Sequence, residues 1–196
     1  MVIHCFNEHH QYLLFIDLEF DDRELIQFAG LLFKRVDDEV YQLARTFNQY
    51  RTPDDKVGYP FAEYTGITQN FLQENGIPLS DLQQNVMDVL LKDIPLNQLE
   101  IISHGLKNDR MVLQENGINL STFTDENGKM KPIDGYCTYN NGRRILGRKT
   151  QLKEGDLAEE AGFYLHNAHN AANDVWAEVA VYTYLRKIEE QTQEGL

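Results

Sequence analysis

The chain is poor in cysteine, in basic residues and in long apolar runs, and each shortage excludes a class of protein. Cys5 and Cys137 are the only cysteines among 196 residues, so the chain has no disulfide framework. No apolar run reaches the roughly 18 residues of a membrane-spanning helix, and no membrane contact is expected. The N-terminus lacks a basic stretch followed by an apolar core, which argues against a secretory signal. The expected location is the reducing cytoplasm.

Positive charge is scarce, with 18 Lys and Arg against 31 Asp and Glu and a net charge of −13. Taken alone, this balance argues against nucleic-acid binding, which usually depends on clustered cations. Residues 143–153 are the exception, because they hold five cations and no acid. This basic stretch is either a contact for phosphate groups or a solvated loop.

The hydrophobic pattern predicts a globular α/β chain that forms one domain over residues 1–196. Short apolar or alternating runs predict five strands, at residues 12–20, 25–36, 40–50, 99–103 and 132–137. Helices are predicted at residues 81–92 with Ser80 as the cap, and at 105–116, 152–161 and 168–190. A strand hairpin followed by alternating strands and helices predicts a mixed sheet.

Two acids interrupt the first apolar strand. Asp17 and Glu19 are two residues apart, so their side chains point to the same face about 7 Å from each other. Like charges this close raise each other's pKa unless a cation lies between them. One acidic pair is a weak signal, because edge strands often carry such pairs on a solvent face, and on this motif alone that interpretation is favoured over metal binding.

Two further acids lie on helical faces that are otherwise apolar. Asp109 shares its face with Leu106 and Leu113, although an acid near a helix start is also favoured by the helix dipole. Asp174 lies beside Val175 on the apolar stripe of the last helix. Three acidic sites of this kind are difficult to explain as core packing, because buried charge needs a compensating partner.

His169 lies near the start of the last predicted helix, one turn ahead of Asp174. A histidine there is a cap or a surface residue in most proteins, but beside a metal-bound water it can act as a general base. Its ordinary pKa of about 6.5 suits proton abstraction near neutral pH. A ligand set made of carboxylate oxygens favours Mg²⁺ or Mn²⁺ over zinc.

Together, the motifs resemble those of the DEDDh (DnaQ-like) family of 3′→5′ exonucleases. The resemblance extends over residues 12–186 and depends on the order of the motifs as well as on their residues. They are Asp-x-Glu at Asp17 and Glu19, His-x-x-x-x-Asp at His104 and Asp109, and His-x-Ala-x-x-Asp at His169, Ala171 and Asp174, with a Thr-Gly-Ile turn at residues 65–67.

The resemblance implies a ribonuclease-H-like fold with a five-stranded mixed sheet flanked by helices. It also implies two Mg²⁺ or Mn²⁺ ions about 4 Å apart. Asp17 would bridge both ions, Glu19 and Asp174 would complete one site, and Asp109 would support the other, largely through water. His169 would deprotonate the attacking water, and nucleoside 5′-monophosphates would leave from the 3′ end.

The expected substrate is the 3′ end of single-stranded DNA or RNA. Backbone groups near Leu18 and Glu19 would contact the terminal 3′-OH, and His104 and Asn108 would border the nucleotide pocket. Many family members have Thr directly after the Glu of the first motif, where this chain has Phe20. An aromatic ring at that position can stack on a base or wedge against it.

Three alternatives stay open at this stage. The substrate can be DNA, RNA or very short oligoribonucleotides, and a polymerase or another protein can be a partner. A catalytically idle module that binds nucleic acid or docks on a polymerase can share the fold. A metal-dependent phosphatase shares the ligand chemistry but not this ordered set of motifs.

Overall fold

A six-stranded mixed sheet forms the centre of the computed structural model, which describes residues 1–4, 6, 9–165 and 169–194. The strands in chain order are β1 (Val2–His4), β2 (Tyr12–Asp21), β3 (Glu24–Arg35), β4 (Val40–Tyr50), β5 (Leu99–Ser103), β6 (Thr122–Thr124), β7 (Met130–Pro132) and β8 (Asp134–Cys137). The order across the sheet is β1-β4-β3-β2-β5-β8, and β6 and β7 form a separate ribbon. β1 to β4 pair antiparallel, whereas β5 and β8 run parallel to β2.

Helices cover the sheet and contribute to the edge where the site lies. They are α1 (Tyr59–Thr65), α2 (Gln69–Asn75), α3 (Leu79–Asn85), α4 (Leu106–Glu115), α5 (Thr138–Ile145), α6 (Glu154–Glu160) and α7 (Ala171–Glu194). After α3, residues Val86–Leu90 continue as a wider π-helical turn. No helix among the described residues is long and apolar enough to cross a membrane.

The two faces of β2 bury different halves of the core, because successive side chains of a strand alternate between faces. Leu13 and Phe15 pack with α7 in one cluster. Leu14, Ile16 and Leu18 pack in another, with residues of α3 and α4. The period of two therefore places Asp17 and Glu19 on the face that carries α7.

The five predicted strands are present close to their predicted positions, which confirms the mixed α/β sheet. The predicted number of strands is wrong, because β1 adds a sixth. β1 has only three residues and no alternating run, so its identity as a strand comes from pairing with β4 and not from its own sequence.

The predicted helices at 105–116 and 152–161 correspond to α4 and α6, and the last one to α7. Ala168, the predicted first residue of the last helix, lies outside the described residues. Ser80 is not the cap of α3, because the helix already begins at Leu79 after Pro78. α5 was not predicted, and it shows that the first part of the basic stretch is helical instead of a loop.

Candidate active site

Three carboxylates from two distant parts of the sequence meet on the α7 face of the sheet. Asp17 and Glu19 lie near the end of β2, and Asp174 lies in the first turn of α7. One ligand atom of each lies within 4.8 Å of the others. β5 pairs with β2 only as far as Phe15, so the two acids of β2 lie beyond the carboxyl end of β5. A groove at this end of the strands is the usual place for a ligand in an α/β sheet.

The start of α7 is held in place by backbone and side-chain hydrogen bonds. The Asp174 N–H donates to the Asn170 carbonyl at 3.0 Å, and the His169 N–H donates to Asp174 Oδ2 at 2.9 Å. Gln27 of β3 is fully buried, and its Oε1 accepts the Ala171 N–H at 3.2 Å. Gln27 therefore ties the sheet to the helix that carries Asp174, a role with no distinctive signal in the sequence.

Asp109 approaches the same point from α4, which begins shortly after β5. The hydroxyl of Ser103, at the end of β5, donates to Asp109 Oδ2. Burial raises the pKa of Asp109, and the Ser103 hydrogen bond acts in the opposite direction. The negative charge of Asp109 also raises the pKa of Asp17. Of the four predicted metal ligands, Asp17, Glu19 and Asp174 have ligand atoms within 4.8 Å of one another, and Asp109 is outside that group.

The acids raise one another's pKa because they are shielded from water and carry charge of the same sign. Burial raises the pKa of Asp17 well above its ordinary value, and the charges of neighbouring acids raise it further. The pKa of Glu19 rises to about 7, first through burial and then through the charge of Asp174. A bound cation would remove both penalties.

The residues present fit a divalent cation. Asp174 is only 6% exposed, and its Oδ1 is buried without a hydrogen-bond partner within the described part of the chain. A buried carboxylate oxygen without a donor is costly unless a cation binds it. Because oxygen atoms make up the cluster, Mg²⁺ and Mn²⁺ suit it well.

Two further acids border the site, and sequence analysis missed both. Glu178 of α7 is fully buried, and Glu154 is the first residue of α6. The charge of Glu154 raises the pKa of Asp17, and the charge of Asp17 raises that of Glu178. The available signal was the spacing of Glu178 from Asp174, since residues four apart share a helical face.

His169 lies at the edge of the site in a left-handed backbone conformation, with φ of 69°. Its ring packs on the ring of Tyr64, with centroids 3.7 Å apart and planes tilted by 33°. Tyr64 is 65% exposed and lies near the end of α1, directly before the predicted Thr-Gly-Ile turn. Its contact with His169 was not foreseen from the sequence.

The predicted substrate-contacting residues lie in different surroundings. Phe20 follows an irregularity in the pairing of β2 with β3 and is 37% exposed, whereas the Leu18 side chain is buried in the opposite core. His104 and Asn108 line a cavity of about 440 Å³ together with Glu154.

Both ring nitrogens of His104 have protein partners. Nδ1 lies 3.1 Å from the Thr138 hydroxyl, and Nε2 lies 3.0 Å from the Leu152 carbonyl. Burial lowers the pKa of His104. Its hydrogen bonds therefore hold the wall of the cavity together, and Asn108 is the more exposed of the two.

The basic stretch is largely engaged with acids and carbonyls of the same chain. Arg144 pairs with Glu189 of α7. Arg148 makes a two-pronged contact with Glu160 of α6, at 2.6 and 2.8 Å. Arg143 donates to the Lys149 carbonyl at 3.1 Å. These contacts pack the stretch against α6 and α7.

Comparison with known proteins shows the fold of the chain. No family model matches the sequence, and no curated protein matches it either. Solved structures do match: the nuclease domain of 3'hExo, a DEDDh family member bound to rAMP, has a TM-score of 0.66 and 16% identity, with 93% of this chain and 94% of that chain covered.

Two further solved structures share the fold. E. coli exonuclease I in complex with a dT13 oligonucleotide has a TM-score of 0.69 and 14% identity, with 94% and 43% covered. Cell-death related nuclease 4 (CRN-4) has a TM-score of 0.62 and 16% identity, with 92% and 64% covered. The chain thus spans less than two thirds of CRN-4 and under half of exonuclease I. The ribonuclease-H-like fold predicted from the sequence is confirmed.

Proposed function

We propose that the chain is a metal-dependent 3′→5′ exonuclease that hydrolyses single-stranded DNA or RNA and releases nucleoside 5′-monophosphates. The observation that carries the proposal is the meeting of Asp17, Glu19 and Asp174 within 4.8 Å, and the charge of Asp109 also raises the pKa of Asp17. Exonucleases with the same fold, two of them in complexes with rAMP and with an oligonucleotide, support it.

Asp17, Glu19, Asp109 and Asp174 would hold two Mg²⁺ or Mn²⁺ ions. Ions bound there would polarise the phosphoryl group, lower the pKa of a bound water and stabilise the departing 3′ oxygen. Glu19 and Asp174 would orient the attacking water, and Asp109, fixed by Ser103, would hold the opposite side.

His169 would accept the proton of the attacking water at a ring nitrogen. The water oxygen would then bond to phosphorus as the bond from phosphorus to the 3′ oxygen breaks. The exposed ring of Phe20 and the cavity beside His104 and Asn108 would take the terminal nucleotide. A polymerase or another protein partner stays a prediction from the resemblance.

The test is digestion of 5′-labelled single-stranded DNA and RNA oligonucleotides with Mn²⁺ or with EDTA. The expected result is a ladder that shortens from the 3′ end, depends on Mn²⁺ and is absent with Asp17→Ala. Asp55→Ala is the matched control, because Asp55 is exposed and lies outside the cluster. Cleavage that survives in Asp17→Ala would contradict the proposed metal site.

The idle module that binds nucleic acid predicts a different result. It would bind the oligonucleotides and leave them intact at every Mn²⁺ concentration. Degradation of only those oligonucleotides that are a few nucleotides long would support the proposed reaction and restrict the substrate to short oligonucleotides.

A further inference from the structure

The ring of Tyr64 contacts His169 from outside the three motifs. Although 65% of Tyr64 is exposed, its ring lies against the imidazole of His169, with centroids 3.7 Å apart and planes tilted by 33°. Within the described part of the chain, no group forms a hydrogen bond with the imidazole. The tyrosine ring is therefore a restraint on the imidazole that hydrogen bonds do not provide.

Tyr64 is itself anchored to the sheet through α1. Phe61, three residues earlier in the helix, belongs to one buried cluster with Ile26 of β3. At the start of the helix, the Gly58 N–H donates to a carboxylate oxygen of Asp21, the last residue of β2. Both contacts tie α1 to the two central strands, so the ring of Tyr64 is presented from a fixed element.

The backbone of His169 is fixed separately. Its N–H donates to Asp174 Oδ2 at 2.9 Å, and its φ of 69° lies in the left-handed region, which few residues with a side chain adopt. These restraints fix the Cα atom, but the side chain can still rotate about two bonds between its preferred conformations. The ring of Tyr64 occupies one side of the imidazole and so excludes the orientations that would overlap it.

We propose that Tyr64 is a positioning residue, whose ring holds the imidazole of His169 in the orientation that proton abstraction requires. This inference rests on the proposed function, in which His169 is the base. A base accelerates the reaction only when its nitrogen is directed at the proton that it removes. The contact uses the face of the tyrosine ring, so phenylalanine in its place should preserve it.

The test is single-turnover hydrolysis by the full-length chain at a saturating oligonucleotide concentration with Mn²⁺. We expect Tyr64→Ala to slow the hydrolytic step on the order of 10- to 100-fold, because the base loses its fixed orientation. Tyr64→Phe should keep the wild-type rate. Tyr59→Ala is the matched control, since it removes another exposed tyrosine from the same helix and should also keep that rate.

A double-mutant cycle separates positioning of the base from contact with the substrate. A residue that acts through His169 has nothing to position once that side chain is removed, so Tyr64→Ala should not slow His169→Ala any further. Additive losses would overturn the inference. A loss in Tyr64→Ala that disappears into weaker oligonucleotide binding, with the saturated rate unchanged, would also overturn it and make Tyr64 a stacking surface for a base.

Proton NMR measures the ring contact without any activity. In the metal-free wild type, the ring current of Tyr64 should shift the His169 ring protons upfield; Tyr64→Ala should abolish this shift and Tyr64→Phe should keep it. An identical spectrum in Tyr64→Ala would overturn the inference, and Mn²⁺-dependent cleavage by the wild type would leave the proposed function standing. A wild type that shows the upfield shift but cleaves no oligonucleotide would instead refute the proposed function, and with it the role of Tyr64.

Discussion

Asp174 accepts the backbone N–H of His169 through Oδ2 at 2.9 Å, so the proposed base and a proposed ligand are fixed to each other. The bond directs the carboxylate so that Oδ1 is the oxygen left without a partner among the described residues. It also supports the left-handed conformation of His169, which is unfavourable for a residue with a side chain. The side chain of His169 takes no part in this bond.

The first prediction separates the proposed role of the His169 side chain as a base from the role of its backbone N–H, which holds Asp174. His169→Ala keeps the backbone N–H that holds Asp174, so Mn²⁺ affinity should stay close to that of the wild type. Loss of a general base should slow the hydrolytic step by about 10²- to 10⁴-fold. Single-turnover kinetics and Mn²⁺ titration test both halves. Equal loss of metal affinity would instead make His169 a ligand.

Asp17→Asn should separate metal binding from stability. Burial and the charges of four neighbouring acids raise the pKa of Asp17, so its replacement by asparagine removes repulsion. The metal-free variant should therefore melt at a higher temperature than the wild type at pH 8. The rise in Tm that Mn²⁺ gives the wild type should be absent. Exonuclease activity should fall on the order of a hundredfold or more. Thermal melts with EDTA and with Mn²⁺ provide the measurement, and an unchanged Mn²⁺ shift would argue against Asp17 as a ligand.

The stability of the metal-free protein should fall as pH rises. Native Glu19, with a pKa of about 7, keeps its proton above the ordinary value of 4.5, where the unfolded chain has lost it. The native state therefore binds more protons in this window, and the free energy of unfolding decreases from about pH 4.5 to 7.

Thermal melts in EDTA between pH 5 and 8 measure this slope. Glu19→Gln should make the slope shallower, because a glutamine does not titrate. The Mn²⁺ affinity of the wild type should increase as pH rises through 7, because Glu19 then loses the proton that competes with the cation. A flat pH profile in the metal-free wild type would contradict the clustering of the acids.

Lys107 and Lys153 should contribute more to nucleic-acid affinity than the arginines of the basic stretch. Both lysines are exposed and line the cavity next to the site, whereas Arg148 is paired with Glu160. Each lysine that contacts a phosphate should change the slope of log affinity against log salt by about 0.7 for a single strand. Anisotropy titrations of Lys107→Ala, Lys153→Ala and Arg148→Gln with an oligonucleotide in EDTA test the ranking. A larger effect of Arg148→Gln would reverse it.

Gln27→Leu should destabilise the start of α7. The variant removes the acceptor of the Ala171 N–H and the donor to Asn48, inside a buried position. An unsatisfied buried group costs about 1–3 kcal/mol, which chemical denaturation can measure. Activity should also fall, because Asp174 loses the tie between its helix and the sheet. The exposed Gln42→Leu is the control and should change stability by less than about 0.5 kcal/mol.

Long, regular segments of this fold could be read from the sequence, and short ones could not. β2 and β3 are strands of 10 and 12 residues that are mostly apolar, as a strand buried on both faces requires. β1 forms only because its three residues pair with β4 at the edge of the sheet. α5 has a polar sequence with Gly142 in it, and its burial comes from packing against α6 and α7.

The candidate site follows the same division. The four proposed ligand carboxylates could be found because each interrupts an apolar pattern within its own segment. Glu154 could not, because its neighbours on α6 give no reason to expect a shielded acid whose charge acts on Asp17. The contact of Tyr64 with His169 likewise joins residues more than a hundred positions apart.

By itself, the sequence determined which residues could share a face, because the periods of strands and helices are local properties of the backbone. It thereby determined that Asp17 and Glu19 point the same way and that Asp174 follows His169 by about one turn. Tertiary structure alone decided that β2 and α7 bring the carboxylates of Asp17, Glu19 and Asp174 within 4.8 Å of one another. Convergence depends on how helices pack on a twisted sheet, a relationship between distant segments that no local period encodes.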